Sequence, residues 1–117
     1  MASKYLLNIA VGLMFLFITS LNANCQSIYA ADYKSQAELS VYEVKNKSQA
    51  DLLVYLVDYK SEAGENNGNW FFVEFQSQSD KSVFFAEYES QADLKIYFVE
   101  YKSQAGWMNI SKKQLLE

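Results

Sequence analysis

The stretch VYEVKNKSQADLL, residues 41–53, decides how this chain is read, because near-copies of it follow one another down the sequence. VFFAEYESQADLK occupies 83–95 and IYFVEYKSQA occupies 96–105. Repetition at a fixed period marks one structural unit used several times. Ser-Gln-Ala begins at Ser35, Ser48, Ser90 and Ser103, and Ser61-Glu62-Ala63 and Ser77-Gln78-Ser79 are weaker copies. The steps are 13, 13, 16, 13 and 13 residues, the long one holding an insertion around residues 64–69. An apolar run precedes each copy: 28–33, 41–46, 54–59, 70–75, 83–88 and 96–101.

These runs are rich in Val, Ile, Tyr and Phe, which suit a pleated and half-buried surface. Their period is two. Tyr29, Ala31, Tyr33, Ser35, Ala37, Leu39 and Val41 fall on alternate positions, and the series restarts one residue later at Tyr42. Such a slip exchanges the two faces of a strand, so it predicts a bulge or corner once per repeat. The opposite parity carries Asp32, Asp58, Glu74, Glu87 and Glu100 and is the wetter face. Among the links only Asn67-Gly68 has hairpin chemistry. The chain is therefore expected to wind rather than double back, with small Ser and Ala letting one segment cross closely over another. The fold class is all-β: six 13-residue strand repeats in one compact domain. Ser111 and Gln114 have capping-box spacing, which predicts a short C-terminal helix near 111–116.

Composition sets limits on function. Half of the 117 residues are hydrophobic and 16 % are aromatic, enough for one packed domain. Residues 1–25 read as a secretory signal: Lys4, an apolar core from Tyr5 to Ile18 too short to span a bilayer, then small polar residues. The domain proper is 26–117. Cleavage after Cys25 makes the product periplasmic or secreted, with Gln26 first. Lipidation of Cys25 is the alternative, although Leu21-Asn22-Ala23-Asn24 is a poor lipobox. Without the leader, nine lysines face fourteen acids, and there is no arginine. That balance disfavours nucleic acid as a partner. A homodimer through a strand edge and an envelope partner both stay open.

Chemistry-bearing residues are few. With no histidine, and with the single cysteine in the leader, neither nucleophilic triads nor His- or Cys-rich metal sites can form. Asp51, Asp80 and Asp93 share one repeat position with Glu38. Two such acids across a cleft would serve a hydrolase, but acids placed by repetition read first as a solvated row. Calcium between coils needs glycines that the repeats lack. No catalytic residue, metal or cofactor is expected.

Tyr33, Tyr59, Tyr88 and Tyr101 share one repeat position, and Tyr29, Tyr42, Tyr55 and Tyr97 another. The preferred reading makes them a core of large rings facing small Ser and Ala. The competing one makes them a platform for a glycan or protein. Trp70 and Trp107 lie outside that ladder and, with Asn67, are the candidate surface contacts. Lys34, Lys47, Lys60 and Lys102 are expected to pair loosely with nearby acids, each pair contributing about 0–1 kcal/mol if exposed.

Copies of Tyr-Lys-Ser-Gln-Ala-Asp/Glu-Leu alternating with Val-Tyr-x-Val-x-Tyr resemble the small bacterial family called the 7(1) septoil knot domain. The ending Gly106-Trp107-Met108-Asn109 with Ser111-Lys112-Lys113 is similar too, so the resemblance covers about residues 28–113. It implies a compact β domain threaded into a seven-crossing knot, with no assigned activity and no catalytic residues to carry over. Asn46, where other copies have Tyr or Phe, and the 64–69 insertion depart from the pattern. The expected role is an exported, non-enzymatic structural or interaction domain.

Overall fold

The computed structural model describes residues 26–62 and 65–117. The leader expected at 1–25, with Cys25, lies outside them. Seven strands are present among the described residues: β1 (Ser27–Ala30), β2 (Leu39–Glu43), β3 (Leu52–Leu56), β4 (Asn69–Val73), β5 (Lys81–Phe85), β6 (Leu94–Phe98) and β7 (Gly106–Trp107). Their order in the sheet is β4-β1-β5-β2-β6-β3-β7, and β4 also pairs with β3. The six long strands therefore close into a barrel. All their pairings are parallel, and only β7 runs antiparallel, against β3.

Register shows how the repeat closes this ring. The first half of β5 pairs with β1 (Lys81 opposite Ile28), and its second half with β2 (Phe85 opposite Val41). β2 and β6 repeat the arrangement, each strand climbing about two residues past its neighbour. Alternate residues point inward: Ile28, Leu39, Val41, Leu52, Val54, Trp70, Val83, Leu94 and Ile96 form the core, with Phe72, Phe85 and Phe98 packed against it. A fully buried Val, Leu or Ile contributes about 1.5–3 kcal/mol, so these columns carry most of the stability. A second, outer layer of Val44, Ala50, Leu53 and Val99 packs with Tyr42, Tyr55 and Tyr97.

Each link steps outside one intervening strand before rejoining the ring. Leaving β1, Ala31 N–H donates to Val83 O (2.8 Å); arriving at β2, Glu38 N–H donates to Ser82 O (3.0 Å). The link therefore crosses over β5. By the same bonds the β2–β3 link crosses β6 (Val44 N–H to Ile96 O, Asp51 N–H to Lys95 O), and the β5–β6 link crosses β2 (Ala86 N–H to Val41 O, Asp93 N–H to Ser40 O). The β4–β5 link reaches β1, and the β6–β7 link reaches β3. Strands of the first circuit lie beneath links of the second, and strands of the second beneath links of the first. The chain is woven.

The corner in each link is a 3-10 turn, as at Lys34–Gln36 and Lys102–Gln104, closed by Gln36 N–H to Tyr33 O and Ala37 N–H to Lys34 O. Among the described residues only Gly68 and Gly106 have positive φ. The turn explains a correction. In the sequence the alternation runs straight through Lys-Ser-Gln, but three residues in 3-10 conformation reset it. Tyr33, Tyr59, Tyr88 and Tyr101 consequently leave the core and stand 60–67 % exposed. Tyr29, Tyr42, Tyr55 and Tyr97 are half-buried on the outer face, not inside the barrel. The acids of the wetter face, from Asp32 to Glu100, are exposed as expected.

The C-terminal segment is a 3-10 helix, Ile110–Leu116, whose Leu116 is fully buried and packs with the core cluster. Its cap differs from the expected one. Asn109, not Ser111, is the N-cap, and its side chain accepts from Ser111 N–H (3.3 Å).

Candidate functional site

The acids at the shared repeat position turn out to be fasteners. Where a link lands on the strand it has crossed, the Asp N–H donates inward and the carboxylate accepts a strand N–H in return. Asp80 Oδ2 accepts from Ser27 N, Asp93 Oδ2 from Ser40 N and Asp51 Oδ2 from Lys95 N, each at 2.9 Å. The crossing link takes the place of a neighbouring strand, and the short Asp side chain supplies the missing acceptor. At Glu38 the extra methylene changes the partner: Glu38 N–H is accepted by Ser82 Oγ (3.1 Å), and the carboxylate meets Lys81 at 3.5 Å. Asp51, Asp80 and Asp93 are spent on strand amides and Glu38 on Lys81, each at a different crossing.

Asp51 is the most heavily used. It is 7 % exposed and also receives Lys112 Nζ (3.1 Å) and Asn109 Nδ2 (3.3 Å), while its carbonyl accepts Met108 and Asn109 N–H. Burial raises its pKa, but the Lys95 amide, Lys112 and Asn109 outweigh burial and hold the carboxyl below its ordinary value. This junction ties the tail to the barrel.

The three candidate contact residues have different fates. Trp70 is 0 % exposed and forms part of the core, edge-on to Phe72 at 6.2 Å. It stands in the column of Ile28, Val41, Val54, Val83 and Ile96, all buried, and that alignment was the available signal. Trp107 is half-buried and donates Nε1–H to Asn66 O (3.0 Å), pinning the insertion. Asn67 is exposed, and its Oδ1 accepts from Asn69 N–H (3.3 Å). It lines an open polar cleft of about 570 Å³ with Asn66, Asp80, Lys81, Lys113 and Glu117. The structure brings Asn66, the neighbour of Asn67, against Trp107, while Trp70 is buried in the core.

The exposed rings are the more regular feature. Tyr33, Tyr59, Phe75, Tyr88 and Tyr101 each precede a 3-10 turn and are 67, 67, 61, 60 and 64 % exposed. The sixth copy has Asn46. Large rings left mostly in water five times at one structural position are a regular surface feature, and none of them belongs to the buried core. Beside Tyr101 there is a groove of about 240 Å³, formed where the β2–β3 link crosses β6. Lys47 contributes from the crossing link, Tyr97 and Glu100 from β6 and its end, and Gln104 from the next turn. Contrary to expectation, Lys34, Lys47, Lys60 and Lys102 form no ion pair among the described residues. The three bridges there are Lys81–Glu38, Lys95–Glu89 and Lys112–Asp51.

The sequence model of the 7(1) septoil knot domain matches residues 25–108. The chain belongs to that family. A septoil knot domain is a small repeat structural domain, and the woven links described above supply alternating over and under passages of the kind that its name denotes. Comparison with curated proteins and with solved structures finds no significant match.

Proposed function

We propose that the chain is an exported, non-enzymatic interaction domain that uses its woven barrel as a rigid mount for repeated aromatic contacts. One observation carries this reading: five rings at the same structural position are 60–67 % exposed around a core that is already filled. Exposed aromatics combined with polar neighbours are the composition of binding surfaces rather than of bare scaffold. The leader at 1–25 directs the product to the periplasm or outside, and Cys25 as a lipid anchor is the alternative fate. A net negative, arginine-free chain argues against nucleic acid. The repeat-position acids are occupied in fastening links, which favours a binding role over hydrolysis.

Two measurements test the proposal. Mass spectrometry of the protein made with its leader should give a mature chain starting at Gln26 in the exported fraction. An intact Met1 in the cytoplasm would contradict export. Envelope material should retain the wild-type protein and lose a variant with the five rings replaced by Ser. Equal retention of both would contradict the interaction role.

A further inference from the structure

We infer that the groove at Tyr101 is a saccharide subsite and that the corresponding residues around Tyr88 form a second, so that the domain binds a neutral pyranose polymer at more than one point. The inference rests on the interaction role proposed above and names its site and ligand class. At the Tyr101 groove an exposed phenol ring stands beside the half-buried ring of Tyr97. Lys47, Glu100 and Gln104 line the same space. A ring face for the C–H side of a sugar, with an ammonium, a carboxylate and a carboxamide for its hydroxyls, is saccharide-binding chemistry. Neither Lys47 nor Glu100 is in an ion pair among the described residues, so both remain available to hydroxyl groups. The opposite charges offset each other, which favours an uncharged ligand over a uronate or a phosphate. At about 240 Å³ the groove is smaller than the ~300–1,000 Å³ of a site that engulfs a whole small molecule, and it fits one unit of a longer chain.

The weave repeats the arrangement. The β1–β2 link crosses β5 as the β2–β3 link crosses β6, and this places Lys34, Phe84, Glu87, Tyr88 and Gln91 in the roles of Lys47, Tyr97, Glu100, Tyr101 and Gln104. The ring of Tyr88 is 60 % exposed. Elsewhere the set is broken. Beside Tyr33 the lysine is replaced by Gln76, whose Nε2 already donates to Gln36 O (3.1 Å). At Tyr59 the turn carries Glu62 in place of glutamine. Tyr33 is therefore a built-in control: its ring is 67 % exposed, but the lysine position beside it holds a glutamine already committed to Gln36. Two sites on one rigid body also give a polymer an avidity that a single sugar lacks.

The test is a titration of the full chain, expressed with its leader and purified after processing. It is followed by amide and aromatic NMR shifts with neutral hexasaccharides of glucose and of N-acetylglucosamine, and with a hexa-uronate for comparison. Neutral oligomers should perturb the Tyr101 and Tyr88 grooves. Tyr101→Ala and Tyr88→Ala should each weaken binding about tenfold or more through lost avidity, while Tyr33→Ala should leave it unchanged. Preserved spectra away from the substitution would show that each variant is folded. Absence of any shift with the neutral oligomers, shifts at the 65–67 cleft alone, or stronger binding of the uronate would overturn the inference. Capture of an envelope protein that depends on the same rings would overturn the saccharide assignment while leaving the interaction role intact. Envelope retention that ignores all five rings would sink that role as well.

Discussion

Replacing Asp51 by Ala removes the most connected fastener of the weave. The carboxylate accepts the Lys95 amide, Asn109 Nδ2 and Lys112 Nζ. Leaving the part-buried Lys95 N–H without an acceptor costs about 1–3 kcal/mol. Lys112 is one-third exposed, so the ion pair adds only about 0–1 kcal/mol after solvent screening. The expected loss for Asp51→Ala is therefore about 1–4 kcal/mol. Asp51→Asn keeps an acceptor oxygen for Lys95 and should cost about 1 kcal/mol, the order of one ordinary hydrogen bond. Asp80→Ala and Asp93→Ala each free one part-buried strand amide but lose no Lys112 or Asn109 contact, so each should cost about 1–3 kcal/mol, less than Asp51→Ala. Urea unfolding midpoints give the ranking, and amide exchange at Lys95 gives the local cause. The pH dependence follows from the lowered pKa. A carboxyl depressed in the folded state stabilises fully above its unfolded value of about 3.9 and loses that contribution as pH falls through the folded value. Wild type should thus lose acid stability that Asp51→Asn never had. If Asp51→Ala matched Asp93→Ala in midpoint and left Lys95 exchange unchanged, the fastener account would be refuted.

Three further outcomes follow from the packing. Gly68→Ala should destabilise by about 2–4 kcal/mol, because φ is +93° and a Cβ would collide with the Leu53 carbonyl oxygen; thermal unfolding checks it. Trp70→Ala, which empties the centre of the barrel, should cost about 3–5 kcal/mol, whereas Tyr101→Ala at the surface should stay within about 0.5 kcal/mol; comparable losses would mean that the exposed rings pack after all. Leu116→Ala should cost about 2–5 kcal/mol, and limited proteolysis should then begin in the tail, since Leu116 is the side chain that plugs it into the core.

Much of this architecture was legible because the repeat is explicit. Apolar columns at Val41, Val54, Val83 and Ile96 announced strands, and the shortage of glycine in the links pointed to winding. The aromatic positions were misread for a physical reason. Period-two counting assumes extended backbone, and Lys34-Ser35-Gln36 and its copies are not extended. Trp70 reads as a surface contact because it lies outside the tyrosine ladder, although the 16-residue step aligns it with buried Val54. The fasteners were visible only as acids in register. Whether a carboxylate meets water or a strand amide depends on which strand lies beneath the link, and that is set by interlacing between residues about 44–53 apart. The groove at Tyr101 was hidden for the same reason, since Lys47 reaches it from a link more than fifty residues earlier.

Interlacing itself is most directly tested by cross-strand NOEs in the folded protein. The parallel weave places Ile28 opposite Lys81 and Phe72, and Val41 opposite Leu94 and Phe85, so backbone NOEs should join those pairs. NOEs joining β1 directly to β2, and β2 directly to β3, would mean that successive repeats simply stack, and the woven barrel would be wrong.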